Sequence, residues 1–517
     1  MADSRSLGIR LLAAASSNLL VLAARTLVTL LVTPITFHAL GRFDYGIWEI
    51  TASAAGYMAL FDIGLRPSVS RFVTLYSAQR SYEDLRESLS TAWAFMLLLG
   101  AFALTVFTCW GIVWLIHPPR ESAHWWRYCA VLLIIGCQLA ILFPSLVAES
   151  ALEGFQAYVA KSRVTLVLVI VGGIVTVAWI RSFDALLFVA TVNTLGLAIK
   201  ASIFFRMVRA RLPHVQVFSL RAASLQCYRR MVGFGSKSFL QGVGEDIVSF
   251  GPAMIIGAVL GPATVPLYRL PAAITDYARL ASWTAAYAFM TFFVELDASG
   301  DQARMRRTYL TGSRLAVAQV MPVAIGILVL GAPFIGRWIS PNLGLDARPL
   351  IPWVVLIYLS PLLCPIGVHY LTALAKHGGI AIVGAALSVI GVVAGALAAP
   401  HLGLVGFAAC VAVAVVLKTP YRIWISCRAI GVPVRGYLTA ILWPALPCAI
   451  LQYLVMWALA SRWEEATWRA LIGTGFAGGA VYIVAFLALA NRDDRQVLRE
   501  ATGHLLAAVR RRPSAVS

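Results

Sequence analysis

This chain predicts an all-α polytopic membrane protein of about 14 transmembrane helices, and three observations carry the prediction. Hydrophobic residues make up 60% of the 517 and charged residues only 13%, whereas a soluble globular chain carries about 25% charged residues. Mean hydropathy is +0.81. Apolar runs follow one another along the sequence, and about 20 such residues are enough for a helix to cross a hydrocarbon core roughly 30 Å thick.

Taken in order, the runs place spans at 11–37, 46–65, 89–116, 126–152, 164–180 and 185–205. A polar, basic stretch follows. A second set of six lies at 239–260, 267–293, 315–335, 350–374, 380–399 and 404–425, and two more at 437–460 and 468–490. The organisation expected is a six-helix lobe over 1–205, a basic cytoplasmic connector over 206–232, a second six-helix lobe over 233–428, two added helices over 429–490 and a basic tail over 491–517. The first run is too long for a signal-peptide core and leads into another span, so no cleaved leader is expected.

Positive loop residues stay on the cytoplasmic side. With the N-terminus inside, 29 of the 42 Lys and Arg residues fall in inner segments and 8 in outer loops. Both termini are therefore expected in the cytoplasm. The formal net charge of +19 comes from these inner loops and from the Arg510-Arg511-Arg512 tail, which suit anionic lipid headgroups. A nucleic-acid partner is not expected.

The eight cysteines sit in spans or inner loops, away from an oxidising aqueous compartment, so free thiols are expected. There is no His-Glu-x-x-His, no Cys-x-x-Cys pair and no Walker loop, so neither a metal site nor nucleotide hydrolysis through such a loop has local support. No cofactor is expected.

The two sets of six look like copies. Leu40-Gly41 and Leu260-Gly261 lie 220 residues apart, and Leu152-Glu153-Gly154 parallels Leu371-Thr372-Ala373 at an offset of 219. Copies with an even number of spans share one orientation, and such repeats build transporters with the site at the repeat interface. Within the first hairpin, Arg25 interrupts a nearly unbroken apolar run. An ionisable side chain at bilayer depth is costly, so it normally faces protein or a wet cavity.

The string Leu40-Gly41, Tyr45-Gly46, Trp48, Gly56-Tyr57, Leu60, Asp62, Gly64-Leu65, followed by Leu152-Glu153-Gly154 and His401-Leu402-Gly403-Leu404 with Gly406, resembles the Wzx-type oligosaccharide flippases of the multidrug/oligosaccharidyl-lipid/polysaccharide exporter superfamily. That resemblance implies passage of an undecaprenyl-diphosphate-linked oligosaccharide from the inner to the outer leaflet of a bacterial inner membrane. The implied mechanism is alternating access of two lobes around an arginine-lined cavity, in lipopolysaccharide O-antigen or exopolysaccharide synthesis. Polymerase and chain-length proteins of the same pathway are the partners it suggests. Related lipid-linked peptidoglycan precursor flippases place arginines on the first and eighth spans, where Arg25 and Arg269 stand here.

The side chains fit such cargo. A guanidinium stays charged and matches phosphate oxygens with forked donors, which makes Arg25, Arg269 and Arg279 the diphosphate candidates. Asn18 shares a helix face with Arg25, and Tyr45, Trp48 and Tyr57 are the sugar-facing candidates. For Arg25 a structural ion pair is the alternative, and for Arg279 neutralisation by Asp276 three residues earlier. Lys200 reads as a snorkelling side chain. Asp62, Glu245 and Asp276 are the candidates for coupling to a proton or sodium gradient, with a cap at Asp62 as the structural alternative. Two other functions compete. A drug or cation antiporter would favour an acidic cavity, and an integral-membrane glycosyltransferase or polymerase would carry a long catalytic outer loop, which this chain lacks.

Overall fold

The computed structural model describes residues 2–62, 64–117, 125–374 and 376–490, apart from the side chains of residues 2–16, 18, 19, 59, 234–241, 285, 287, 288 and 291. The expected basic tail and the Asn18 and Lys237 side chains lie outside the described residues. Among those described, the elements are fifteen helices joined by short turns. The first eight are α1 (Ala2–Met58), α2 (Leu65–Gln79), α3 (Tyr82–Ile116), α4 (Trp125–Gly154), α5 (Tyr158–Trp179), α6 (Ala185–Arg211), α7 (Leu225–Leu260) and α8 (Val265–Ser299). The rest are α9 (Gln302–Trp338), α10 (Pro341–Ala347), α11 (Ile351–Leu359), α12 (Pro365–Ala373), α13 (Gly378–Ile430), α14 (Val434–Ala460) and α15 (Trp468–Leu489).

Among the described residues, eleven segments are long and apolar enough to cross a membrane. Two of them are hairpins: α1 breaks at Gly41 and α13 at Gly403. Counting the arms of each separately and adding α8, which carries Arg269, Asp276 and Arg279 among apolar residues, gives fourteen. The chain is a multi-pass membrane protein.

Both breaks, and the turn between α7 and α8, fall on a Leu-Gly pair. Gly41 has φ 77 and ψ 172, Gly261 φ 88 and ψ 155, and Gly403 φ 63 and ψ −160. This region of backbone space is essentially open to glycine alone. The paired Leu-Gly signals thus mark the same turn geometry in three places.

By internal packing the chain forms two compact units, Met1–Pro266 and Leu267–Ser517. In the first, α4 packs on α3 and α6, and α1 on α5 and α7. Helix α7 packs on α1, α2 and α3 and belongs to the first unit. In the second, α9 packs on α10, α11, α12, α14 and α15, and α13 on α11 and α12.

Helix α2 occupies a segment that reads as an inner loop in the sequence. Asp62 Oδ1 accepts from the Leu65 backbone N–H at 3.0 Å, capping its start. It buries Leu65, Ser68, Val69 and Val73, one face of an amphipathic helix, and leaves Arg66 and Arg71 exposed. The connector after α6 is pinned to α3, because Ser219 N–H donates to Ser90 Oγ and Ser224 N–H to Thr91 Oγ1. Nearby Cys227 is buried against Ser88, and burial pushes its thiol pKa up. All eight cysteines are unpaired.

Candidate functional site

The second arm of α1 carries most of the residues behind the sequence resemblance, and the structure shows what several of them do. A Cβ on Gly46 would fall 1.9 Å from the Pro262 carbonyl oxygen, and one on Gly56 2.4 Å from the Phe250 ring. The Ile50 side chain in turn fills the space over Gly257 of α7. Arg42 Nε donates to the Ala263 carbonyl at 2.7 Å. These glycines let α1 lie directly on α7 and on the turn that follows it.

Tyr45, read from sequence as cavity lining, is buried and packs on Phe37 at 5.3 Å between ring centres. Tyr57 packs on Phe250 and donates its hydroxyl to the Ile247 carbonyl at 3.3 Å. Trp48 is half-buried against apolar side chains of the unit. In this conformation the three aromatic rings hold helices together, because a motif that sets helix spacing needs its large side chains inside.

Arg25 is different. It is exposed on the first arm of α1, while Leu20, Leu27 and Leu31 form an exposed apolar stripe on the same arm. At 3.6 residues per turn, Arg25 lies about 120–160° around the helix from those leucines. The apolar stripe suits acyl chains; the arginine faces another way.

In the second unit, α8 carries Arg269, Asp276 and Arg279. Arg279 Nε meets Asp276 Oδ1 at 2.7 Å, the pairing the sequence reading allowed, with Asp276 43% exposed and Arg279 21%. Arg269 is half-buried beside Tyr268, and the charges of Arg269, Asp276 and Arg279 all reach the Tyr358 phenol on α11. Glu245 is half-buried on α7. Asp246 beside it acts electrostatically on Tyr57.

In the sequence Glu149 falls beside a span and Glu153 with Lys161 reads as loop electrostatics; neither the helices Glu149 joins nor the settings of Arg127, Arg314, Lys418 and Arg422 are read there. Glu149 on α4 accepts Lys161 of α5 at 3.5 Å and Lys200 of α6 at 3.3 Å, while Lys161 also meets Glu153 at 2.5 Å. Lys200 therefore pairs inside the unit, where a snorkelling role was expected. Three helices are tied by carboxylates too distant in sequence for any spacing rule to join them. At the other end of the same helices, Arg127 bridges Asp44 at 3.2 Å and Asp184 at 2.5 Å, and the Tyr128 hydroxyl donates to Asp44 at 2.7 Å. In the second unit Arg314, Lys418 and Arg422 are buried, at 8%, 4% and 8% exposure. The orientation count places all three in inner loops. Lys418 and Arg422 nevertheless fall inside the expected 404–425 span, one helical turn apart, and that spacing was the available signal.

Solved structures of like fold are transporters. An inward-facing multidrug resistance MATE family transporter of the MOP superfamily superposes with a TM-score of 0.65 at 15% identity, over 81% of this chain and 98% of its own. A lipid II flippase, MurJ, in an inward closed conformation matches with a TM-score of 0.62 at 13% identity, over 92% and 99%. A MOP superfamily transporter from Pyrococcus furiosus matches at 0.60 and 12% identity, over 82% and 95%. No curated protein matches the chain. The fold is thus that of MOP superfamily membrane transporters. The chain belongs to the polysaccharide biosynthesis protein family, whose model matches residues 73–340, more than half its length.

Proposed function

We propose that this protein moves an undecaprenyl-diphosphate-linked oligosaccharide from the cytoplasmic to the periplasmic leaflet of a bacterial inner membrane, with both termini in the cytoplasm, to supply O-antigen or exopolysaccharide assembly. The observation that carries the proposal is Arg25, exposed in an apolar arm yet turned from its leucine stripe, in a chain of a polysaccharide biosynthesis family. A guanidinium turned away from acyl chains at bilayer depth needs water or an anion, and a lipid diphosphate supplies the anion. Arg269 is the matching group of the second unit. A fold shared with a lipid II flippase supports cargo of the lipid-linked class.

The multidrug transporter of like fold keeps a drug antiporter as the second reading, but cationic drugs need counter-charge and Arg25 and Arg269 offer the opposite sign. An enzymatic role has no support from the transporters of like fold or from the short outer loops.

For coupling to a proton or sodium gradient the candidates are Asp62, which also caps the start of α2, Asp276, which pairs with Arg279, and Glu245. The first to test is Glu245, half-buried on the span α7. The test is a deletion strain scored for lipid-linked repeat units retained on the inner leaflet, complemented with wild type or Glu245→Gln. Wild type clears the retained units, and Glu245→Gln alters the pH dependence of that clearance. Failure of wild type to clear them contradicts the cargo assignment, and an unchanged pH profile contradicts coupling through Glu245.

A further inference from the structure

In the second unit, the ends of α9 and α14 together with α10 and the start of α11 line a half-open cavity of about 1060 Å³. That is at the upper end of ligand-pocket volumes, roughly 300–1,000 Å³. From α9 the wall is Leu328, Val329, Ala332, Pro333 and Gly336, one continuous helix face. From α14 it is Tyr453 and Trp457, one turn apart, 42% and 58% exposed. The stretch from Leu328 to Ile339 rises about 16 Å, close to half the roughly 30 Å hydrocarbon core. The close approach of α10 to α9 fixes the far wall: a Cβ on Gly344 would sit 2.6 Å from the Ala332 carbonyl oxygen.

Three charged side chains line this same cavity: Arg337, Arg348 and Glu465. Among the described residues none of the three makes an ion pair. The two arginines also run against the positive-inside bias, since the orientation expected from sequence leaves only 8 Lys or Arg residues in outer loops. An apolar shaft about one leaflet deep, opening beside two guanidiniums and one carboxylate, matches a molecule with a hydrocarbon chain, a phosphate and an ammonium. A neutral glycan would leave the shaft unused, and a simple cation would meet two like charges.

We propose that this cavity binds a zwitterionic aminophospholipid of the surrounding leaflet, with its phosphate between Arg337 and Arg348, its ammonium at Glu465 and one chain along Leu328, Pro333 and Trp457. Guanidinium on phosphate is the strong, charge-assisted kind of hydrogen bond. The site is independent of whatever cargo the protein moves.

The test is native mass spectrometry of the full-length, detergent-solubilised protein titrated separately with phosphatidylethanolamine, phosphatidylglycerol and undecaprenyl diphosphate. Wild type retains one phosphatidylethanolamine in preference to the other two, and Arg337→Gln with Arg348→Gln weakens that retention at least about tenfold. Glu465→Gln removes the preference over phosphatidylglycerol while leaving total retention similar, a readout that general destabilisation would not move. Unchanged retention in the double arginine variant overturns the proposal. So does preference of the wild type for phosphatidylglycerol or undecaprenyl diphosphate, or no retained lipid at all.

Discussion

In the first unit, Glu149 collects Lys161 and Lys200 from two other helices, and Arg127 is held between Asp44 and Asp184. In the second, buried Lys418 donates to Ser388 Oγ at 2.5 Å across the two arms of α13. There, too, the Tyr309 and Ser426 hydroxyls meet at 2.9 Å, and Tyr437 donates to the Leu363 carbonyl at 3.1 Å. At these contacts, the first unit joins helices through carboxylate pairs and the second through hydroxyls and a lysine. Charge pairs in a dry interior are sensitive to loss of one partner, because the remaining charge is stranded. Hydroxyl contacts are individually weaker and more replaceable. The difference predicts unequal tolerance to mutation in the two units.

The largest effect is expected at Glu149. Its side chain is 18% exposed and that of Lys200 16%, so Glu149→Gln strands the poorly solvated Lys200 ammonium, while Lys161 keeps Glu153, and costs about 3 kcal/mol. Thermal unfolding in detergent measures this, and adding Lys200→Met should recover part of the loss; no loss in the single variant breaks the contrast. Next comes the Leu-Gly turn. Gly41→Ala forces a Cβ into backbone space that side chains avoid and costs about 2 kcal/mol, with Gly261→Ala matching it if the two turns are equivalent. A marked difference between them in the same unfolding assay argues that only one turn is constrained. Ser388→Ala, the second unit's counterpart to the Glu149 test, removes one acceptor from the buried Lys418 ammonium and costs about 1.5 kcal/mol, the low end for a hydrogen bond to a charged group. Equal damage from Ser388→Ala and Glu149→Gln would erase the distinction between the units.

Spans were legible because bilayer thickness demands long apolar runs, and the Leu-Gly turns because only glycine takes their backbone angles. Helix α2 was not, since a fifteen-residue amphipathic helix between spans reads as a charged loop. The Glu149 network was hidden because residues 149, 161 and 200 meet only after α4, α5 and α6 have packed. What the motif's glycines do for packing was not legible either: they bring α1 onto α7, where Tyr45 is buried and Tyr57 half-buried. Arg25 stands out in the sequence because it interrupts an apolar arm, and in the structure it is exposed there; its role in binding is the proposal to be tested.

That residue offers the most direct measurement. In the deletion strain, complementation with Arg25→Ala at wild-type membrane abundance should leave lipid-linked oligosaccharide stranded on the inner leaflet, and Arg25→Lys should restore only part of the flux, since an ammonium keeps the charge but loses the forked donors. Full clearance by the alanine variant would contradict the assignment of Arg25 to the diphosphate.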